Sequence, residues 1–247
     1  MINEFVYAHL DIRNFFAACE QYLNPEYRGR PVVVYNEGAN GRQKIIAASK
    51  EAKERYGVSR NTSIDRAKRI PDVTLIKSRR DEYEKIADQL YRECLDCVVE
   101  EVHAVSKPHI DDIVMKLPND LGAAIGLTRK VEEQYNEFGF DLAIGISFNE
   151  DYAHIATKLS KKYGLIYFGS SFARRFIYRM PVIEFPGIGP KRKEKLNAIN
   201  IYTISDIANI PLDLIMDTLG KRIGMKIYFS ILDIEPNKVQ LELFESK

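Results

Sequence analysis

Phe5-Val6-Tyr7-Ala8-His9-Leu10-Asp11-Ile12 and His109-Ile110-Asp111-Asp112-Ile113-Val114-Met115 read as two short apolar β-strands that carry acid where a buried strand should carry none. The first ends in one carboxylate; the second holds two adjacent ones. Burying a lone carboxylate costs several kcal/mol unless something positive meets it. Three acids brought together repel unless a divalent cation sits between them, and hard oxygen ligands favour Mg²⁺. Paired Mg²⁺ ions are the usual apparatus for moving a phosphoryl or nucleotidyl group. Side chains alternate across a strand, so Asp111 and Asp112 point to opposite faces unless the strand ends or bulges there. A metal site then takes Asp11 and one of the pair as bridging ligands, with the other reaching in from the edge and the Ile12 carbonyl as a further oxygen. The alternative is that these acids cap turns or pair with Arg13 and Lys116.

Outward from these strands, the pattern predicts a helix over 14–22, broken by Asn24-Pro25, and a buried strand over 31–35. A turn covers 36–41, and a short-period, basic, helical stretch covers 45–76, interrupted at Gly57 and Pro71. A longer amphipathic helix follows over 81–99, opened by acid that suits a helix amino end. Strands over 110–117 and 142–147 alternate with helices over 121–137 and 152–162, an α+β or α/β arrangement. From about Ser170 the chain is helical and punctuated by Pro181, Pro186, Pro190, Pro211 and Pro236, which marks a second, all-α module.

With 247 residues, 45% of them hydrophobic and 29% charged, the chain has the composition of an ordinary globular protein with room for two lobes. No run approaches the roughly 20 apolar residues of a membrane span. Three cysteines argue against a disulfide framework, and Met1-Ile2-Asn3-Glu4 lacks a secretory pattern, so a cytoplasmic, membrane-free location is expected. Net charge is only +1. Cations nevertheless gather over 42–80 and 158–195, and acids over 82–101 and 132–151, a distribution that suits a phosphate polymer lying across an acidic centre. Solvated helix faces look similar.

Phe15-Phe16 follows Asp11 closely. At least one of the two rings belongs to the core, while Phe16 is placed to stack on a deoxyribose and clash with a 2′-hydroxyl. Phe185-Pro186-Gly187-Ile188-Gly189-Pro190-Lys191-Arg192-Lys193 lacks the third glycine of a dinucleotide loop. It reads as a helix-hairpin-helix in which Gly187 and Gly189 let backbone N–H groups approach a DNA phosphate, with Lys191, Arg192 and Lys193 beside them. Leu196, Ile199, Ile204, Ile207 and Ile210 supply the helical core behind it. Cys94-Leu95-Asp96-Cys97 has no partner pair at zinc spacing and reads as packing. His9 and His154 read as structural.

Several blocks together resemble the Y-family (translesion) DNA polymerases: Asp11-Ile12-Arg13-Asn14-Phe15-Phe16-Ala17-Ala18-Cys19-Glu20, Leu23-Asn24-Pro25, Gly29-Arg30-Pro31-Val32-Val33-Val34, Glu51-Ala52-Lys53 and Gly57-Val58. The resemblance continues through His109-Ile110-Asp111-Asp112, Gly145-Ile146-Ser147-Phe148-Asn149 and Phe185-Pro186-Gly187-Ile188-Gly189, in family order over residues 5–220. It implies an α+β right-hand core: a palm over 1–35 and 80–165, small fingers over 36–79, and an all-α helix-hairpin-helix thumb over 166–233. A tail occupies 234–247.

By the same resemblance Asp11, Asp111 and Asp112 are the catalytic acids, holding two Mg²⁺ ions with the Ile12 carbonyl. Asp112 stands where the family usually has glutamate, one methylene longer. Phe16 matches the sugar-selecting aromatic, with Phe15 beside it. Lys50 and Lys53 stand where a tyrosine and an arginine often grip the triphosphate, and Lys161 matches a triphosphate-binding lysine. Arg13, His109, Glu150, His154 and Lys158 depart from the usual residues.

Gln240-Leu241-Glu242-Leu243-Phe244 is similar to the peptide by which bacterial polymerases dock on the sliding clamp, with Leu243 and Phe244 filling an apolar pocket and Gln240 making polar contacts. Its place implies a natural terminus, without the DNA-gripping domain of about 100 residues that usually follows the thumb. The expected protein is a monomeric, low-processivity DNA polymerase acting on primer-template DNA and deoxynucleoside triphosphates, tethered to the clamp. The competing expectations are a catalytically degenerate adaptor that binds DNA and clamp, and a metal-dependent nuclease.

Overall fold

The computed structural model describes residues 5–98 and 100–232. Strand β1 (Phe5–Ile12) turns into helix α1 (Phe15–Leu23), and β2 (Val32–Glu37) and β3 (Gln43–Ala48) follow. Two short helices, α2 (Lys50–Tyr56) and α3 (Ile64–Lys68), lead to β4 (Thr74–Lys77) and the long α4 (Arg80–Val98). Then come β5 (Ala104–Ser106), β6 (Asp112–Pro118), α5 (Leu121–Glu137), β7 (Leu142–Ser147), α6 (Glu150–Tyr163) and β8 (Ile166–Phe168). The remainder is helical: α7 (Ser170–Ile177), α8 (Pro190–Asn197), α9 (Ile204–Ala208), α10 (Leu212–Leu219) and α11 (Lys221–Leu232).

The larger sheet runs in the order β5-β6-β1-β7-β8, and a second sheet runs β3-β2-β4. The chain divides into two compact units, one of Leu10–Ala143 and the other of the residues up to His9 and from Ile144 onward.

In the Leu10–Ala143 unit, residues 45–76 are not the helical stretch that their basic pattern suggests. β3 pairs antiparallel and β4 parallel with β2, so two of the three strands of the small sheet come from this segment. Burial decides it: Val33, Ile45, Ala48, Ala52, Val58, Ala67 and Val73 close a small core that needs strand geometry on one side and helix on the other. β6 begins at Asp112, two residues later than the sequence pattern places it, so Asp111 lies in the bend just before the strand.

In the second unit, β7 crosses α6 with no room for a side chain at Gly145. A Cβ there would stand 2.2 Å from the Thr157 nitrogen and 2.4 Å from the Ala153 carbonyl oxygen. Asn149 caps α6 by accepting from the Tyr152 N–H at 2.9 Å. The same residue reaches the other end of the helical module, donating through Nδ2 to the Ser230 carbonyl at 3.2 Å. Tyr152 and Tyr178 hydroxyls both donate to the Ile231 carbonyl, at 2.9 and 3.3 Å. A helix leaves its last four carbonyls without intrahelical partners, and here three side chains meet two of those of α11. One continuous apolar core joins Tyr152, Phe185, Leu196, Ile204, Ile207, Ile215 and Ile231, with Ile199 and Ile210 packed against it. Among the described residues no helix is long and apolar enough to cross a membrane.

Candidate active site

Three residues after Asp11 the chain takes a left-handed turn at Asn14 (φ 58°), a conformation asparagine tolerates better than most residues. The carbonyl of Asn14 accepts from the N–H groups of Ala17 and Ala18 at 2.8 and 3.0 Å, which starts α1. The Asn14 side chain does not cap that helix; its Oδ1 accepts instead from the ammonium of Lys53 on α2. The amino end of α1 thus has no side-chain cap and a lysine beside it, the combination that suits a bound anion.

The acidic strand ends meet through the backbone. The Ile12 N–H donates to the Asp111 carbonyl at 2.9 Å, so Asp11 and Asp111 lie on adjoining segments. Both are half-buried, whereas Asp112, the first residue of β6, is 7% exposed. Asp111 also lies near α1: burial, with the charges of Glu20 and Asp111, pushes the Cys19 thiol far above its ordinary value. Arg13, the residue after Ile12, reaches Asp141. Its guanidinium faces Asp141 at 3.7 Å, and its N–H donates to the Asp141 carbonyl at 2.8 Å. Among the described residues no three Asp, Glu, His or Cys side chains are gathered as a metal-holding group.

The two phenylalanines separate. Phe15 is 3% exposed and packs near Phe140, with ring centroids 6.3 Å apart. Its ring belongs to the core. Phe16 is half-buried, its centroid 5.3 Å from that of Tyr83. Lys50 is exposed at the start of α2, whose amino end is capped by Ser49 accepting from the Ala52 N–H at 3.3 Å. In the other unit, Lys161 is exposed in the last turn of α6. Lys158 donates to the Glu184 carbonyl at 3.2 Å.

The carboxylate that is fully buried is one the strand argument overlooks. Glu20 on α1 has no exposed surface. It receives the Arg79 guanidinium through two nitrogens, the Tyr83 hydroxyl at 2.5 Å, and Asn24 Nδ2 at 3.3 Å. A bidentate arginine and a phenol satisfy both oxygens, which is what a buried charge demands. The only sequence signal was its position on the apolar face of α1, one residue after Cys19.

In the helical module, Gly187 takes φ +84°, and the Arg192 guanidinium closes the turn by donating to its carbonyl at 2.8 Å. The element before this turn is a single 3₁₀ turn, Val182–Glu184, not a full helix. Gly189 precedes α8 without a side-chain cap, and Lys191 and Lys193 are exposed on its first turn. Cys94 is buried, its thiol pushed up to about 12 by burial, and Cys97 is half-buried, in line with packing. His9 and His154 stack at 4.4 Å, and the Thr157 hydroxyl donates to the His9 carbonyl at 2.7 Å. Gln240, Leu241, Leu243 and Phe244 lie outside the described residues.

Residues 10–158 match the model of the impB/mucB/samB family, and residues 183–230 match that of the DNA polymerase-iota thumb domain. The chain therefore belongs to the impB/mucB/samB family, the Y-family DNA polymerases. It is 28% identical over 229 residues to DNA polymerase IV of Streptococcus mutans, covering 89% of this chain and 60% of that protein. The match to the Streptococcus pyogenes enzyme is also 28%, over 228 residues and 61% of its length. The chain thus spans about 60% of the length of these curated relatives. Among solved structures it superposes on the insertion ternary complex of Dbh DNA polymerase with a TM-score of 0.78 at 22% identity, covering 94% of this chain and 69% of that one. DinB from Sulfolobus solfataricus gives 0.73 at 22% identity, with 94% and 68% covered. The fold is accordingly the mixed α+β polymerase core with a helical thumb.

Proposed function

We propose that this chain is the catalytic core of a translesion-type DNA polymerase, adding a deoxynucleotide to a primer 3′-hydroxyl with release of pyrophosphate. The observation that carries the reading is the Ile12–Asp111 backbone bond, which sets Asp11 and Asp111 on adjoining segments next to an uncapped helix end. In this reading the palm is 1–35 and 80–165, the fingers 36–79 and the thumb 166–233, and the protein is a cytoplasmic monomer.

Two half-buried carboxylates and a backbone carbonyl make an all-oxygen donor set that fits Mg²⁺. Asp11, Asp111 and the Ile12 carbonyl would hold it, with Asp112 the shortened third acid. Bound there, a pair of such ions supplies Lewis-acid activation of the hydroxyl and neutralisation of the triphosphate. The chain's own groups do the rest. The amino end of α1 and Lys53 bind triphosphate oxygens, joined by Lys50 and Lys161, and lysine neutralises them without arginine's bidentate fork. Phe16 stacks on the sugar and excludes a 2′-hydroxyl. Gly187, Gly189, Lys191, Arg192 and Lys193 hold the DNA backbone without reading sequence. The peptide at 240–244 docks on a sliding clamp, so that tethering raises the effective primer concentration.

Primer extension with Mg²⁺, lost in Asp111→Ala while the variant still binds DNA, is the expected result. A second reading, an adaptor that binds DNA and clamp without catalysis, draws on the missing three-acid grouping among the described residues. DNA binding with no incorporation by the wild type establishes that reading and sinks the first. Degradation of labelled DNA without nucleotide establishes a nuclease. Clamp-stimulated extension unchanged on deleting 240–247 removes the tether.

A further inference from the structure

Helix α7 carries an aromatic ridge on its outer side. Ala173 and Ile177 are buried, whereas Phe172 and Phe176 are 62% and 41% exposed. Residues at i and i+4 share a helix face, and these two rings lie nearly parallel with centroids 6.2 Å apart. Both lie against Phe168 of β8, at 6.0 and 5.6 Å, and Phe168 is buried. The ridge is thus supported on one side and open on the other. Adjoining phenyl rings that face water mark a surface that a partner covers.

The charges around the ridge are all of one sign. Residues 170–180 include Arg174, Arg175 and Arg179 and no acid. Arg174 lies over the Phe148 ring at 5.9 Å, while Arg175 and Arg179 are exposed. The matching occupant is a segment both apolar and acidic, and the chain supplies one. Residues 233–247 carry Asp233, Glu235, Glu242 and Glu245 against Lys238 and Lys247, a side-chain net charge of −2, with Val239, Leu241, Leu243 and Phe244 interleaved.

This segment also starts in the right place. α11 ends at Leu232, and the Ile231 carbonyl accepts at 3.3 Å from the hydroxyl of Tyr178, the residue that closes α7. From Tyr178 back to Phe172 is six residues of helix, about 9 Å. From Leu232 to Leu241 is nine residues, up to about 30 Å when extended. Leu241, Leu243 and Phe244 therefore reach both rings. Nucleobases also stack on phenyl rings beside cations, but the chain's own tail is already tethered next to the ridge.

We propose that residues 239–245 fold back onto this ridge, seating Leu241, Leu243 and Phe244 against Phe172 and Phe176 while Glu242 and Glu245 meet Arg175 and Arg179. Apolar anchors ringed by charge are the usual arrangement in peptide recognition. The same three side chains cannot fill a second apolar pocket at the same time, so the ridge competes with any partner that takes this peptide. For a sliding clamp as that partner the inference rests on the reading above; the contact within the chain does not.

The test is fluorescence anisotropy of a labelled peptide of residues 233–247 added to full-length protein. Leu241→Ser/Leu243→Ser/Phe244→Ser frees the ridge, and this variant binds the peptide. Wild type, whose own tail is held near the ridge at a millimolar-scale effective concentration, binds it at least tenfold more weakly. Adding Phe172→Ser/Phe176→Ser to the tail variant weakens binding at least tenfold, and adding Arg175→Gln/Arg179→Gln instead weakens it about threefold at low salt. Phe172 and Phe176 are surface positions, and a matching unfolding midpoint confirms an intact fold. No binding to the tail variant, equal binding to wild type, or binding indifferent to the Phe pair each overturns the proposal. A wild-type dimer in sedimentation that Phe172→Ser/Phe176→Ser dissolves also overturns it, in favour of a second copy on the ridge. A labelled oligonucleotide that needs the Phe pair, where the peptide does not bind, gives the ridge to nucleic acid instead. The readout of peptide binding involves neither polymerisation nor clamp, so failure of the polymerase reading leaves it standing.

Discussion

The Tyr83 hydroxyl donates to the carboxylate of Glu20 at 2.5 Å, on a carboxylate with no exposed surface. Arg79 supplies the opposing charge while its own side chain is 45% exposed. This arrangement ties α1, which carries Phe16 and the uncapped amino end, to α4. Arg79→Ala strips the charge partner from a buried acid and should cost about 3 kcal/mol. Glu20→Gln, which keeps the shape and removes the charge, should cost less. Urea unfolding midpoints of the two variants check the order.

Phe16 lies against Tyr83, with ring centroids 5.3 Å apart. If it excludes the 2′-hydroxyl, Phe16→Val should raise the ratio of ribonucleotide to deoxynucleotide incorporation by roughly tenfold or more, with little loss of stability. Single-nucleotide extension with each nucleotide measures the ratio. Phe15→Val, in contrast, should destabilise the protein by about 1–3 kcal/mol without changing the ratio, because that ring is in the core.

Asp112 is short and 7% exposed. Restoring the methylene in Asp112→Glu should raise kcat/KM for Mg²⁺-dependent incorporation by about tenfold, equivalent to ~1.4 kcal/mol of transition-state stabilisation. The longer side chain in a tight place should also cost about 1 kcal/mol of stability. A fall in kcat/KM, in a variant that still unfolds cooperatively, refutes the idea that reach limits the site.

Thr203 and Asp206 form a reciprocal cap at the start of α9, with Asp206 accepting from the N–H groups of Thr203 and Tyr202 at 2.8 and 2.9 Å. These backbone bonds hold the Asp206 carboxyl below its ordinary value. A depressed carboxyl stabilises the folded state above its unfolded pKa, and that stabilisation is lost as pH falls through the folded one. Asp206→Asn should therefore cost about 1 kcal/mol near neutral pH. The difference from wild type should shrink towards zero in acid. Thermal melts across the acid range read it directly.

Gly145 faces the α6 backbone, where a Cβ would lie 2.2 Å from the Thr157 nitrogen. Backbone cannot swing aside as a flexible side chain can. Gly145→Ala should cost about 3 kcal/mol or more. Gly139→Ala, at a position with open space around it, tests a different cause, since its φ of +83° makes the penalty purely conformational. It should cost about 1 kcal/mol.

Much of the framework was legible in the residues. The apolar strands around Asp11 and Asp112, the helical periodicity of α4 and α5, and the Ile-rich core of the helical module follow from local pattern, because each element buries one face. The small sheet was not legible. Gln43–Ala48 and Thr74–Lys77 are too short, and set in too basic a stretch, to show a period of two, and they become strands because β2 lies between them. Glu20 was hidden for a related reason: nothing along the chain announces that Arg79 and Tyr83, far away in sequence, converge on it.

Residue type and spacing, which are local properties, were enough to place two acidic strand ends, a Phe-Phe pair and a glycine hairpin with a basic helix in the order of a Y-family polymerase. It took the folded chain to show which Phe is core and which is accessible, that Lys53 goes to Asn14, and that Glu20 is fully buried. Those outcomes depend on which surfaces of distant segments meet, and burial is a property of the meeting, not of the segment.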